Sequence, residues 1–316
     1  MLRSVLDTII KKLQEFESII SIINPVVTSK QIGMLFEIID KDFPELFYID
    51  IKKSPIKIVE YGPVKKISIN YLYSKYEVDC FFDEIRDITS QILSPISKSD
   101  TILKREKHLH NYLASKVQYE YNSRNSTDYS IIGPLLHGHA ICEGYAKAYK
   151  YLCEQSQLNC LVVVGKALNF KTGKMENHAW NILYIGNDSY AHVDVTWDSG
   201  KSHGTNLMYS YFNLSDELIG NDHYWDRTSV PVCIGAYDDS ISVIESAAEL
   251  ADFLSMKIDN KQYSFDFMVN KKFNNTEELI ELISKILRKR NLTIVKSFRV
   301  FYNCNTLYVH CDLNIV

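Results

Sequence analysis

Residues 142–197 constrain the fold of this chain more than any other stretch. A helical segment at about 142–156 repeats Tyr145, Ala148, Tyr149 and Leu152 at three- and four-residue spacing, the pattern of a buried face. Three strand-like stretches follow: "CLVVVGKAL" (160–168), "HAWNILYI" (178–185) and "SYAHVDVTW" (189–197). "IGND" at 185–188 reads as a hairpin turn between the last two. If that hairpin forms, the neighbourhood of 178–181 lies opposite that of 191–194. A one-residue difference in register then decides which side chains share a face.

Around this segment the chain reads as three units. Residues 1–94 form an N-terminal α/β unit, with helices expected at about 2–22 and 28–41, strands near 56–60 and 65–73, and a helix near 75–93. "LSPISKSD" (93–100) is a turn-rich linker. Residues 100–235 form the central unit, opening with a helix near 101–117. Residues 241–316 form a small C-terminal α/β unit. In it, helix-like "SVIESAAELADFLSMKI", strand-like "YSFDFMV", the polar-capped helix "NNTEELIELISKILRKR" and two strands near 293–301 and 306–315 succeed one another.

Composition excludes several classes. The net charge of −4 and the absence of a basic arm or stripe argue against a nucleic-acid partner. No apolar run is long enough to span a bilayer. The amphipathic start is interrupted by Asp7, Lys11 and Lys12 and does not read as a signal peptide. A cytoplasmic location is therefore expected, with a secreted or cell-surface one if a signal has been removed. Seven scattered cysteines without a CxxC pair form neither a disulfide framework nor a structural zinc site. No EF-hand spacing occurs, and no cofactor is expected.

Within the central unit, order carries chemistry: Cys142 opens a helix, His178 starts a strand and Asp194 lies near the end of the next. Cys142 taken alone reads as a nucleophile, a metal ligand or core filling. A free thiol titrates near roughly pH 8.5 and is mostly protonated at neutrality. A helix N-terminus and a neighbouring imidazolium both favour the thiolate. A carboxylate on the far ring nitrogen fixes the imidazole tautomer and supports its charge. The helix start also offers backbone N–H groups to an oxyanion, and Gly144 lets its first turn be approached closely.

"GPLLHGHAICEGYAKAYKYLCEQSQLNCLVVVGKA", "ENHAWNILYI" and "YAHVDVTWD" resemble the transglutaminase-like superfamily, over roughly residues 101–230. "YFNLSDELIGNDHYWDR" (211–227) is similar to the segment after the core in bacterial members, and "DFPELFYID" to one before it in clostridial-type members. The resemblance implies an α+β, papain-like core: a Cys-bearing helix packed on an antiparallel sheet, here with α/β units on either side. It implies Cys142 as nucleophile, His178 as general base and acid, and Asp194 as the orienting carboxylate. Gly144, Tyr145, Trp180, Asn181, Trp197 and Asp198 would line the groove or support the triad, with Trp180 and Asn181 shaping the His strand and Trp197 and Asp198 capping the Asp strand. The Cys142 N–H would be one oxyanion donor. The papain-type Gln six residues earlier is replaced by Leu136, so the second donor is not assigned.

The expected activity is acyl transfer on peptide or protein amides through an acyl-thioester. Hydrolysis is the first reading, transamidation the alternative, and a non-catalytic protein-binding module the third. Peptide N-glycanase chemistry uses the same triad, but the paired cysteines usual there are missing. His137 and His139 read as a hydrogen-bonded loop rather than a metal site, and His223 as structural. The 21 tyrosines fit core packing better than a peptide groove. Natural substrate and oligomeric state are not legible.

Overall fold

The computed structural model describes residues 2–51, 56–121, 123–169, 172–199, 208–235 and 241–315. The chain divides into two compact units, Met1–Val162 with Ala179–Asn181, and Val163–His178 with Ile182–Val316. Among the described residues, no helix is long and apolar enough to cross a membrane.

The first unit begins with α1 (Leu2–Gln14), which buries Val5, Ile9 and Leu13. The single long helix expected over 2–22 is corrected here. Phe16 turns the chain with φ 59°, and Ile19–Ile23 become strand β1, with Ile20 and Ile22 inward. A β-branched run with alternating burial suits a pleated edge better than another helical turn. Helix α2 (Ser29–Asp42) follows a capping box in which Thr28 accepts from Gln31 N–H and the Gln31 side chain accepts from Thr28 N–H. Strands β2 (Lys57–Tyr61) and β3 (Val64–Ser68) complete an antiparallel sheet in the order β1-β3-β2, with Ile20 opposite Ile67. The strand expected over 65–73 thus stops at Ser68, and Tyr71 makes only an isolated bridge to Ile49. Helix α3 (Lys75–Leu93) has a second capping box, Ser74 with Glu77. Helix α4 (Ile102–Lys116) leads to β4 (Gln118–Tyr119), which pairs in parallel with β5 (His139–Ala140). That pairing sets the start of α5 (Cys142–Gln155), whose Tyr145, Tyr149 and Leu152 are buried.

The next strands, β6 (Cys160–Asn169), β7 (Lys174–Gly186) and β8 (Ser189–Val193), form a sheet in the order β8-β7-β6-β9. His178 therefore lies within its strand, not at its start. Strand β8 stops before Asp194, and Val195–Ser199 form the short helix α6, correcting the strand expected to 197. In the second unit α7 (Asp216–Ile219) precedes β9 (His223–Tyr224), which runs antiparallel to β6 with His223 opposite Ala167. The segment expected as one helix over 242–258 splits into β10 (Ser242–Ile244) and α8 (Ala247–Asp259), because Ser246 caps the helix by accepting from Glu249 N–H. Strand β11 (Ser264–Val269), helix α9 (Thr276–Lys289) and strands β12 (Val295–Asn303) and β13 (Tyr308–Ile315) follow. The sheet order β10-β11-β13-β12 has one parallel pair, β10 with β11. Phe253, Phe267, Leu279, Ile283, Val309 and Cys311 fill the core beside it. The break expected between 235 and 241 falls on residues 236–240, outside the described residues.

Candidate active site

Cys142 is the first residue of α5 and is half-buried. Its N-cap, Ile141, is extended (φ −92°, ψ 176°) and provides no side-chain cap. The first-turn N–H groups and the positive end of the helix dipole therefore act at the thiol's position. The start of α5 is fixed by the carbonyl of Asp128, which accepts from Ile141 N–H at 3.1 Å. That oxygen passes so close to Gly144 that a Cβ there would collide with it and press on the Ala140 methyl. The Tyr145 hydroxyl donates to the Val117 carbonyl. Asn181 donates from Nδ2 to Ala146 O at 2.9 Å and Leu161 O at 3.2 Å, while Ala146, Val162 and Ala179 pack together. This one amide ties α5 to the strands beneath it, and Trp180 beside it is 1 % exposed.

Farther along α5, buried Lys147 lies 2.6 Å from Asp40 and 2.8 Å from Glu143. Burial alone would lower its pKa, but the two carboxylates outweigh it and hold the ammonium above its usual range. Lys147 and Glu143 border a cavity of about 590 Å³ whose apolar wall includes Phe43, Phe47, Ile49 and Tyr129.

His178 and Asp194 belong to the second unit, and there they meet. His178 Nε2 lies 2.6 Å from Asp194 Oδ2. Asp194 Oδ1 accepts from Trp197 N–H at 3.1 Å, the bond an N-cap residue makes to the first turn of a helix. Asp194 Oδ2 also faces His223 Nε2 at 3.1 Å. His223 Nδ1 in turn lies 2.5 Å from Asp222 Oδ1. Asp222 Oδ2 accepts from the Tyr211 hydroxyl at 2.6 Å and Asn305 Nδ2 at 2.9 Å. Asp194, Asp222 and His223 are at most 1 % exposed, and His178 is 8 % exposed. Burial would raise the pKa of Asp194, but the charge and hydrogen bond of His178, with those of His223, hold it far below the usual carboxylate range. The Trp197 ring packs on His223 at 4.5 Å and on His178 at 5.5 Å.

Asp198 has a different task from capping the strand. Its Oδ1 accepts from Ser210 Oγ and Tyr211 N–H, both at 3.0 Å, and Asp194 N–H donates to Tyr211 O at 2.9 Å. The 210–211 segment is thereby pinned along the Asp194 turn. His139 Nδ1 lies 2.8 Å from buried Asp128, and the His137 ring is 5.7 Å from that of His139. Sequence reasoning passed over Asp222, Tyr211 and Asn305 and treated His223 as structural. The Asp-His pair within "NDHYWD" was the one signal available; nothing marked Asn305.

Two groups among the described residues bring ligand-type atoms within 4.8 Å of one another: His178, Asp194 and His223, and His192, Asp216 and Cys233. Atoms bound tetrahedrally to zinc at about 2.0–2.1 Å lie roughly 3.3 Å apart. The 2.6 Å between His178 and Asp194 and the 2.9 Å between His192 and Asp216 are hydrogen-bond spacings instead.

Residues 89–195 match the model of the Transglutaminase-like superfamily. Among solved structures, a TGase is similar at 13 % identity, covering 72 % of this chain and 59 % of that one, with a TM-score of 0.33. A candidate cysteine protease from Cytophaga hutchinsonii shares 13 % identity over 45 % of this chain and 61 % of that one, with a TM-score of 0.31. An arylamine N-acetyltransferase from Bacillus cereus, described as having a Cys-His-Glu catalytic triad, shares 14 % identity over 36 % of this chain and 50 % of that one, with a TM-score of 0.27. The aligned parts thus span about 59 % and 61 % of the first two proteins. No curated protein matches the chain.

Proposed function

We propose that this chain, whose residues 89–195 match the model of the Transglutaminase-like superfamily, is a thiol enzyme acting on peptide or protein amide bonds through Cys142, His178 and Asp194. The observation that carries the reading is the buried pair in which Asp194 holds Nε2 of His178 at 2.6 Å. With Nε2 engaged by Asp194, this reading gives the thiol chemistry to Nδ1. Nδ1 takes the Cys142 proton, and the thiolate attacks the amide carbonyl, forming the C–S bond. The imidazolium returns a proton to the leaving nitrogen as the C–N bond breaks. Water, deprotonated by the same nitrogen, then attacks the acyl-thioester and releases the acid and the thiolate. Asp194 stays ionised throughout and stabilises the imidazolium. The helix start at Cys142 supplies backbone N–H groups to the oxyanion.

Iodoacetamide labelling across pH, read by mass spectrometry at each cysteine, tests the reading. Cys142 is expected to react at pH 6 at least tenfold faster than Cys80, the exposed thiol, and to lose that advantage in His178→Gln. Equal rates at the two thiols would overturn it. Incubating the protein with a peptide library, with and without an added primary amine, then reads the acceptor. New termini or deamidated side chains mark hydrolysis, and amine incorporation marks transamidation.

A further inference from the structure

His223 touches a carboxylate through each ring nitrogen, Asp194 Oδ2 at 3.1 Å from Nε2 and Asp222 Oδ1 at 2.5 Å from Nδ1. An ionised carboxylate only accepts hydrogen bonds. Both partners are already served as acceptors. Asp194 receives Trp197 N–H and faces His178, and Asp222 receives Tyr211 and Asn305. With both carboxylates ionised, the ring donates on both sides. We propose that His223 is a positioning residue of this site: a doubly protonated imidazole clamped between Asp194 and Asp222, which holds the Asp194 oxygen that His178 uses.

Charge alternates along the array: His178, Asp194, His223, Asp222. With a cationic His223 and two ionised carboxylates the array of four sums to −1 when His178 is neutral and to zero when His178 is charged. Without that cation, the charge of Asp194 beside His178, with Asp222 behind it, would be uncompensated and would hold the His178 proton more tightly. Other groups packed on His223 include the Tyr211 ring at 5.5 Å, the Trp197 ring at 4.5 Å and the His178 ring at 5.4 Å. His192 feels the charge of His223 as well. Strand β9 fixes the ring's position through its pairing with β6.

The catalytic consequence rests on the reading of Cys142 and His178 given above; the protonation of His223 does not. Histidine-selective ¹⁵N labelling of the full chain tests the latter. At pH 7.5 both ring nitrogens of His223, assigned by their loss in His223→Gln, are expected to carry protons. A single protonated nitrogen in the wild-type spectrum would overturn the proposal, whatever the variants do. Asp222→Asn, which keeps the shape and removes one carboxylate, is expected to release one of the two protons by pH 7.5; retention of both would contradict the clamp. The second arm reads Cys142 alkylation by iodoacetamide against pH. His223→Gln is expected to move the acid limb up by about one pH unit. An unmoved limb in a folded variant would reduce His223 to packing and overturn its positioning role. If wild-type Cys142 shows no reactive limb at all, the catalytic reading fails while the ring nitrogens still decide the state of His223.

Discussion

The carboxylate of Asp194 serves a backbone N–H and two imidazoles at once, through Trp197, His178 and His223. Replacing it with Asn keeps the size but presents N–H₂ where an acceptor is needed. Asp194→Asn is expected to slow iodoacetamide labelling of Cys142 at pH 6 by tenfold or more while leaving Cys80 unchanged; an unchanged Cys142 rate would show that the carboxylate does not support the thiol chemistry, and faster labelling of buried Cys153 would mark global loosening instead. Gly144 makes a separate demand, because the Asp128 carbonyl occupies the space a Cβ would need. Gly144→Ala is expected to cost about 1–3 kcal/mol, as overpacking does, read as a lower midpoint in urea. A midpoint unchanged from wild type would show that the 128 turn yields freely. The sequence marked Gly144 as a place where the first turn of α5 is approached closely, but not that the approaching group is the Asp128 carbonyl. The partners of His223 were not, since Asp194 lies 29 residues before it and Asn305 lies 83 after Asp222. Only the pairing of β9 with β6 and the turn between β12 and β13 bring them in.

Among the elements, helices were more readable than the strands beside them. Apolar spacing located α3, a polar cap and charge pattern located α9, and α5 begins at the cysteine where the small-residue turn ends. Legibility failed where one apolar pattern suits two conformations. Ile19–Ile23 continue the stripe of α1 yet alternate in burial as β1, and Val195–Ser199 continue β8 in composition yet coil around the Asp194 side chain. In each case a single backbone event decides, the positive φ of Phe16 in one and the Asp194–Trp197 bond in the other. The capping box of α3 gives a local test. Ser74→Ala removes the acceptor for Glu77 N–H and is expected to cost about 1 kcal/mol, whereas Ser74→Asp should restore most of the loss in a thermal melt. No recovery with Asp would mean that the cap does not set the start of α3.

Across the whole molecule, buried histidines set how stability follows pH. Burial is the largest influence on His192; with the charges of His223 and Arg227 it lowers the pKa from 6.5 to about 4, against the pull of Asp216. Between pH 6.5 and 4 the unfolded chain therefore binds more protons at this residue than the folded one. Its contribution is complete above 6.5 and falls away with acid, by roughly 3 kcal/mol for a group so buried. Asp194, whose pKa is lowered, adds its own loss below about pH 4. His310 runs the other way: Asp266 and Asp312 overcome its burial and raise its pKa, so its contribution is full below 6.5 and lost above. Melting temperature is expected to drop from pH 6.5 to 4 in wild type and to drop less in His192→Gln; parallel slopes would assign the acid sensitivity elsewhere. The bond from Asn305 to Asp222 has a consequence in time. A ribosome that has just added residue 222 must add 83 more before the amide that completes the cluster exists. At about 5–20 residues per second that is a wait of roughly 4–17 s. A nascent chain thus contains both aspartates and both histidines well before that donor is made, and the hydrogen bonding of the cluster is completed late in synthesis.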